Sequence, residues 1–344
     1  MHVAGPGSAR WRHGPTGGAP LRLARALGLE PDGHSPAALD PDLRVFLSDL
    51  VRPYGLDLDE EALRAGRGHA YAELGEALIR RLVAPHEPVD LLIQVFAAPD
   101  VQPGRAASVY LSSVCPGQPL AFALGDQGAA GTFSALRIAG EYLRSGDCRR
   151  ALVLVAEQAE LYYPRPPTAP WPDRHAVVGL LCEAGTRDDP GATAPPEPEA
   201  RFRDHPDVPP ERVAGLLTTE LAELAEPAEP AGPTGPTGPV LLLGPGLAGV
   251  PAPPFAEVHR TRAGSPYTGL WAKLARGLPR WQRQRRSVLL ADYDAPLRYL
   301  SLASWALAPC PQDAALKTAW PFVRDVHRSP DSRAPADPYL VMDQ

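Results

Sequence analysis

The chain has 344 residues, 44% of them hydrophobic and 22% charged, which is enough apolar material for a large core and excludes a wholly disordered protein. A net charge of −6 argues against a general nucleic-acid binder, and no apolar run reaches the roughly 18–20 residues of a membrane span. Proline, at 43 residues, is more than twice as frequent as usual, so long irregular segments are expected beside the core. Lys273 and Lys317 are the only lysines, a compositional bias toward arginine rather than a chemical signal. The N-terminal segment has no apolar core of a signal peptide. Cys115, Cys148, Cys182 and Cys310 stand far apart with no CxxC spacing. They read as reduced residues of a cytoplasmic protein rather than a disulfide frame or a metal site.

Residues 1–40 are rich in Gly, Pro and Ala, and Leu21–Leu29 is their one helical segment by pattern. From Asp57 the pattern is helical. Asp59 suits an N-cap, and Ala70–Leu82 keeps apolar residues at helical spacing until His86-Glu87-Pro88 stops it. VDLLIQVF (Val89–Phe96) reads as a buried strand, Arg105–Val114 as a helix and Leu120–Leu124 as a short strand. Gly131–Leu143 is a strongly amphipathic helix that runs into Ser145-Gly146-Asp147, and two buried strands follow, Arg150–Glu157 and Ala176–Ala184. Residues 186–211 are charged and proline-rich. A helix over Pro210–Glu226 leads into the low-complexity run Pro227–Pro239, a surface linker by composition. Pro239–Gly244 reads as a strand and Pro266–Gly277 as a helix, with His259 on a strand between them. Arg285–Leu307 reads as a strand pair joined at Asp294-Ala295-Pro296, before a proline-rich tail. Short apolar strands alternating with helices predict an α/β protein with mostly parallel sheets covered on both faces.

The most informative stretch is LAFALGDQGAAGTFSALRIAGEYLRSGDCRRALVLVAE (Leu120–Glu157): a strand, Gly-Ala-Ala-Gly, a helix, and a buried strand ending in Ala-Glu. It resembles the thiolase superfamily, most closely its β-ketoacyl-acyl-carrier-protein synthase III branch. There a catalytic cysteine sits on an elbow at a helix N-terminus, whose dipole favours the thiolate. VDLLIQVFAAPDVQP, RHAVVGLLCEA and SVLLADYDAPLRYLSLASW are similar to further family elements, the last to a strand pair whose turn is glycine-rich in the family. The resemblance covers about residues 57–307. It implies two duplicated α/β halves in a layered α-β-α-β-α arrangement. The expected organisation is an N-terminal extension (1–40), a first half (41–185), a second half (186–308) with a Pro-rich insert (186–239), and a C-terminal tail (309–344).

Departures from the family pattern fall on its chemistry. Where the family reads Cys-Ala-Gly, this chain reads Ala129-Ala130-Gly131, and a methyl group forms no thioester. The family histidine corresponds to Gly244 or Pro245, and the asparagine of a Gly-Asn pair corresponds to Ser265 after Gly264. Those two groups normally donate hydrogen bonds to the enolate or oxyanion. The pocket expected around this degenerate site is made of Asp126, Gln127, Ala129, Gly131, His259, Ser265 and Asp294. The bland alternatives are a partly exposed strand histidine for His259 and a satisfied turn serine for Ser265. His175 reads as structural, and Cys115 and Cys148 lie on no elbow.

Gly244-Pro245-Gly246-Leu247-Ala248-Gly249 is formally GxGxxG after a strand, but the prolines beyond it cannot open the helix a dinucleotide site needs. No cofactor and no metal are expected. RWQRQRR is the one basic run; Arg280, Arg283, Arg285 and Arg286 make either a solvated helix end or a docking patch for an acidic acyl carrier protein.

Two readings of function follow. In one, a catalytically degenerate ketosynthase III-like subunit binds or scaffolds a partner, as a homodimer or with an active ketosynthase, in polyketide or fatty-acid-type secondary metabolism. In the other, an acyltransferase passes an acyl group from a carrier thioester to an amine or hydroxyl without an acyl-enzyme. That would use backbone N–H groups around Ala129 and Gly131 and a base among Asp126, His175, His259 and Asp294.

Overall fold

In the computed structural model, the described residues are 20–32, 41–165, 170–185, 200–225, 238–252, 255, 257–261 and 263–307. The first sheet contains β1 (Leu21–Leu29), β2 (Leu91–Val95), β3 (Leu120–Leu124), β4 (Arg150–Glu157) and β5 (Ala176–Ala184), in the order β1-β5-β4-β2-β3. The second contains β6 (Arg201–His205), β7 (Val240–Leu243), β8 (Glu257–Arg260), β9 (Ser287–Asp294) and β10 (Tyr299–Ala306), in the order β6-β10-β9-β7-β8. Shifting every strand number by five converts one order into the other, and the pairing directions match as well. The duplication is therefore a property of the fold.

Five layers result. Helices α3 (Tyr71–Leu82) and α4 (Ala107–Val114) cover the outer face of the first sheet, packing Leu74, Leu78 and Leu111 on Leu92, Leu152 and Leu154. Helix α6 (Pro210–Ala225) covers the outer face of the second through Val213, Leu217 and Leu221. Between the sheets lie α5 (Gly131–Ser145) and α7 (Gly269–Arg283), which meet where the Phe133 and Trp271 rings cross edge-on at 5.0 Å. The two short helices α1 (Pro41–Val51) and α2 (Glu60–Ala65) pack against each other beside the first sheet, around Leu43, Leu47 and Leu63. Asp59 caps α2, accepting from the Ala62 N–H at 2.9 Å.

Several local expectations are corrected. Leu21–Leu29 is strand β1, not a helix: it pairs with β5, buries Leu21 and Leu23, and sets Arg22 against Glu183 and Arg25 against Glu87 (2.6 Å). Pairing with a neighbour overrides a pattern that fits either period. The stretch read as irregular before residue 211 contains β6, held on β10 and tied to α5 by the ion pair of Asp204 with Arg137. Each sheet is half antiparallel rather than mostly parallel. The described part of the β4–β5 connection carries no helix and β9 turns straight into β10, and such links permit only antiparallel neighbours. Helix α7 runs on through Pro279 because Leu278, Trp281 and Gln282 bury its last turns. No helix among the described residues is long and apolar enough to cross a membrane.

Candidate functional site

The chain reaches α5 through a tight turn. Asp126 and Gly128 both have left-handed φ angles (58° and 50°), and residues Gly128–Ala130 form a single 3₁₀ turn that opens the helix. Glycine at 128 answers two demands at once: a Cβ there would lie 1.9 Å from the Asp294 carboxylate. That carboxylate, buried at the end of β9, accepts from the Ala129 N–H at 2.9 Å and from the Leu297 N–H at 3.0 Å. The negative group expected at a helix N-terminus is thus a side chain of the protein itself.

The mirror of this arrangement stands at α7. Glu157, the last residue of β4 and fully buried, accepts from the Tyr267 N–H at 2.9 Å, the Thr268 N–H at 3.1 Å and the Thr268 hydroxyl, and the Ser265 side chain also bonds it. Burial pushes its carboxyl up to about 7 against the pull of these donors. Strands β4 and β9 are equivalent in the two halves, as are α5 and α7. Each half therefore ends its central strand in a carboxylate that caps the other half's central helix.

A third carboxylate, Asp292, is two residues back from Asp294 and on the same inward face of β9. It accepts from the Gly246 N–H at 3.0 Å and the Tyr293 N–H at 2.8 Å, and burial pushes its pKa up to about 8. A Cβ on Gly244 would fall 2.0 Å from the Asp292 carboxyl carbon. The space beside Gly244 is thus filled by Asp292. Residues Pro245–Leu247 form a 3₁₀ turn, not the helix start of a dinucleotide site. Pro245 and Ser265 lie together at the first turn of α7, 3.6 and 3.4 Å from where a Cβ on Gly269 would stand.

Of the positions that the family resemblance assigns to cysteine, histidine and asparagine, Ala129 meets Asp294 and Ser265 meets Glu157; of the two offered for the histidine, Gly244 meets Asp292 and Pro245 lies against the first turn of α7. Tyr267 lies between two of these acids. Burial, then Asp294 and Glu157, push its phenol up to about 12. Gln127 and Gly131 flank the α5 turn, whereas Asp126 is exposed. His259 is not brought to Ala129. Its Nε2 lies 2.8 Å from Glu257, and its ring lies 5.6 Å from that of Trp281. Trp281 is thirteen residues beyond Thr268, about 20 Å along a helix at the usual rise. His175 accepts from the Ala159 N–H at 3.3 Å, and burial pulls its pKa down to about 4.

The basic run divides. Arg286 is buried in an ion pair with Glu257 and donates to the Gly238 carbonyl at 2.9 Å; Arg280, Arg283 and Arg285 are exposed, Arg280 reaching Glu257 at 3.5 Å. Burial opposes ionisation of Glu257, yet bonds from His259, Arg286 and Trp281 hold its carboxyl at about 2. Cys115, Cys148 and Cys182 are buried free thiols, and Cys310 lies outside the described residues. Glu157, Asp292 and Tyr267 were absent from the residues singled out by sequence. The available signal was acid at inward positions of otherwise apolar strands, VLVAE and LLADYD.

No protein-family model matches the sequence, and no curated protein matches it either. Solved structures do match. The tetronic acid condensing enzyme AbyA1 superposes with a TM-score of 0.50 at 17% identity, covering 83% of this chain and 99% of that one. A 3-oxoacyl-(acyl-carrier-protein) synthase from Burkholderia xenovorans gives 0.48 at 16%, covering 85% and 95%. Synthase III, FabH, from Pseudomonas aeruginosa gives 0.47 at 15%, covering 84% and 98%. The chain has the thiolase-like α/β fold, with its two halves in five layers; at these identities the likeness is one of fold.

Proposed function

We propose that this chain is a catalytically silent ketosynthase III-like subunit that works by binding a partner, either an active ketosynthase or an acyl carrier protein, in polyketide or fatty-acid-type metabolism. The observation that carries this reading is the Ala129 amide at the head of α5, which is bonded to the Asp294 carboxylate. No thiol stands at the head of α5, and Ala129, Gly244 and Ser265, which the resemblance sets against the family's catalytic groups, each lie against a carboxylate already bonded to the chain. Claisen condensation needs a nucleophile and free oxyanion donors, and the Ala129 N–H is already committed to Asp294. The same bond counts against direct acyl transfer, which would need that donor even without an acyl-enzyme.

A partner has a surface to meet. The edge strand β3 reads Leu-Ala-Phe-Ala-Leu without a charge; Leu120 is 56% exposed, and Val109 and Tyr110 of α4, which adjoins β3, are exposed as well. An uncharged, apolar edge invites pairing with another strand. A two-fold dimer, with a second copy or an active ketosynthase, would cover it. For a carrier protein, Arg280, Arg283 and Arg285 remain exposed, Arg280 beside Glu257, and only Arg286 is withdrawn from the patch that the sequence suggests. Buried free thiols suit a reducing, cytoplasmic setting.

Co-expression with a ketosynthase encoded beside this chain, followed by native mass spectrometry, tests the reading. A stable one-to-one complex whose condensing activity requires both chains is expected. A homodimer that ignores the ketosynthase and transfers acyl groups from a carrier thioester on its own would overturn it.

A further inference from the structure

We infer that Asp294 is a built-in occupant of the anion position at the head of α5, so that the site is closed from within and not only stripped of its nucleophile. The inference rests on the proposed function and deepens it, since it concerns the same site. A helix N-terminus stabilises negative charge in its first turn. In a site that forms a thioester, that place must stay open for a thiolate and then for the oxyanion. Here it is filled. One carboxylate oxygen of Asp294 takes the Ala129 N–H, and the other takes the Leu297 N–H across the β9–β10 turn, where Pro296 precedes Leu297. Gly128 packs so closely on this carboxylate that any side chain there would collide with it. Asp294 is only 6% exposed, so it leaves the helix only if the whole turn moves.

The occupant reverses the electrostatic sense of the site. A second negative charge at position 129 would meet the first with little water between them, and a like charge disfavours ionisation. Its acidic neighbours do not offset it. Tyr267 from the loop before α7 keeps its phenol neutral, Asp292 is acidic on the same strand face, and Glu157 of β4 stands on the other side of Tyr267. Restoring a thiol alone therefore leaves the site inert.

The test is the titration of a thiol placed there. The variant A129C is made in a C310S background. The three buried cysteines react slowly, since burial pushes Cys115 up to about 12, Cys148 up to about 11 and Cys182 higher still. Alkylation by iodoacetamide is followed against pH by intact mass. A129C is expected to titrate at or above the ordinary thiol value of about 8.5. A129C/D294N, which removes the charge but keeps an acceptor, is expected to titrate at least a unit lower and to alkylate about tenfold faster at pH 7. Equal rates in the two variants would overturn the inference. If the double variant does not fold, A129C alone decides, and a thiol titrating well below 7 overturns it. Neither measurement involves a partner or a carrier. A reactive A129C would leave the proposed function standing, and condensation by the unaltered chain would overturn that function without touching the thiol titration.

Discussion

In the first half of the molecule the edge strand β3 presents Leu, Ala and Phe with Leu120 open to solvent, whereas its counterpart β8 in the second half reads Glu-Val-His-Arg. On β8, Glu257 is held by Arg286 and His259, and the strand is only four residues long. Charge guards an edge against pairing, and its absence leaves β3 unguarded. One duplicated architecture thus ends in a closed edge on one side and an available edge on the other. Inside, the halves behave alike. Glu157 and Asp294 end equivalent strands and cap each other's helices, but Glu157 gathers four donors and Asp294 two.

The inequality inside predicts the largest effect. Glu157→Ala leaves the Tyr267 and Thr268 amides buried without an acceptor, on the order of 3 kcal/mol or more of lost stability. Asp294→Ala removes a smaller cap, about 1–2 kcal/mol. Denaturant melts of the two variants measure the difference, and equal losses would break the comparison between the caps.

A smaller effect follows from pH. Burial raises Glu157 to about 7, Asp292 to about 8 and Asp100 to about 6, all above their unfolded values. Each group binds its proton more tightly in the folded chain. Its contribution is therefore fully present below the unfolded value and is lost as pH rises through the folded one. Stability should decline between about pH 4 and pH 8, and Asp292→Asn should flatten that slope. At the acid end Glu257 acts in the opposite sense, its contribution fading as pH falls from about 4.5 toward 2. The smallest effect on folding concerns the open edge. Leu120→Lys should change stability by less than about 0.5 kcal/mol, as surface changes do. Sedimentation should nevertheless show loss of any dimer that uses β3. The charge-reversing change Arg260→Glu on β8 should leave assembly unaltered.

Most of the fold was legible because long apolar strands and amphipathic helices announce themselves, as VDLLIQVF and Gly131–Leu143 do. β1 and β6 were not, because Leu21–Leu29 and Arg201–His205 take their conformation from the strands they pair with. At the site, Ala129, Ser265 and Asp294 were named from sequence and lie at the heads of the two central helices. His259 lies instead against Trp281. The roles of Glu157 and Asp292 escaped because a buried acid makes sense only once the amides that face it are known, and most of those amides come from the other half or from a distant turn.

The most direct test of the proposed catalytic silence offers the unaltered chain, alone, an acyl carrier thioester together with a malonyl carrier thioester. Intact mass reports any acyl adduct, and chromatography reports any ketoacyl product. No adduct and no product above the uncatalysed rate is the expected result, since position 129 offers only a methyl group and its amide is bound to Asp294. Steady turnover, or an acyl group retained on the chain, would contradict it.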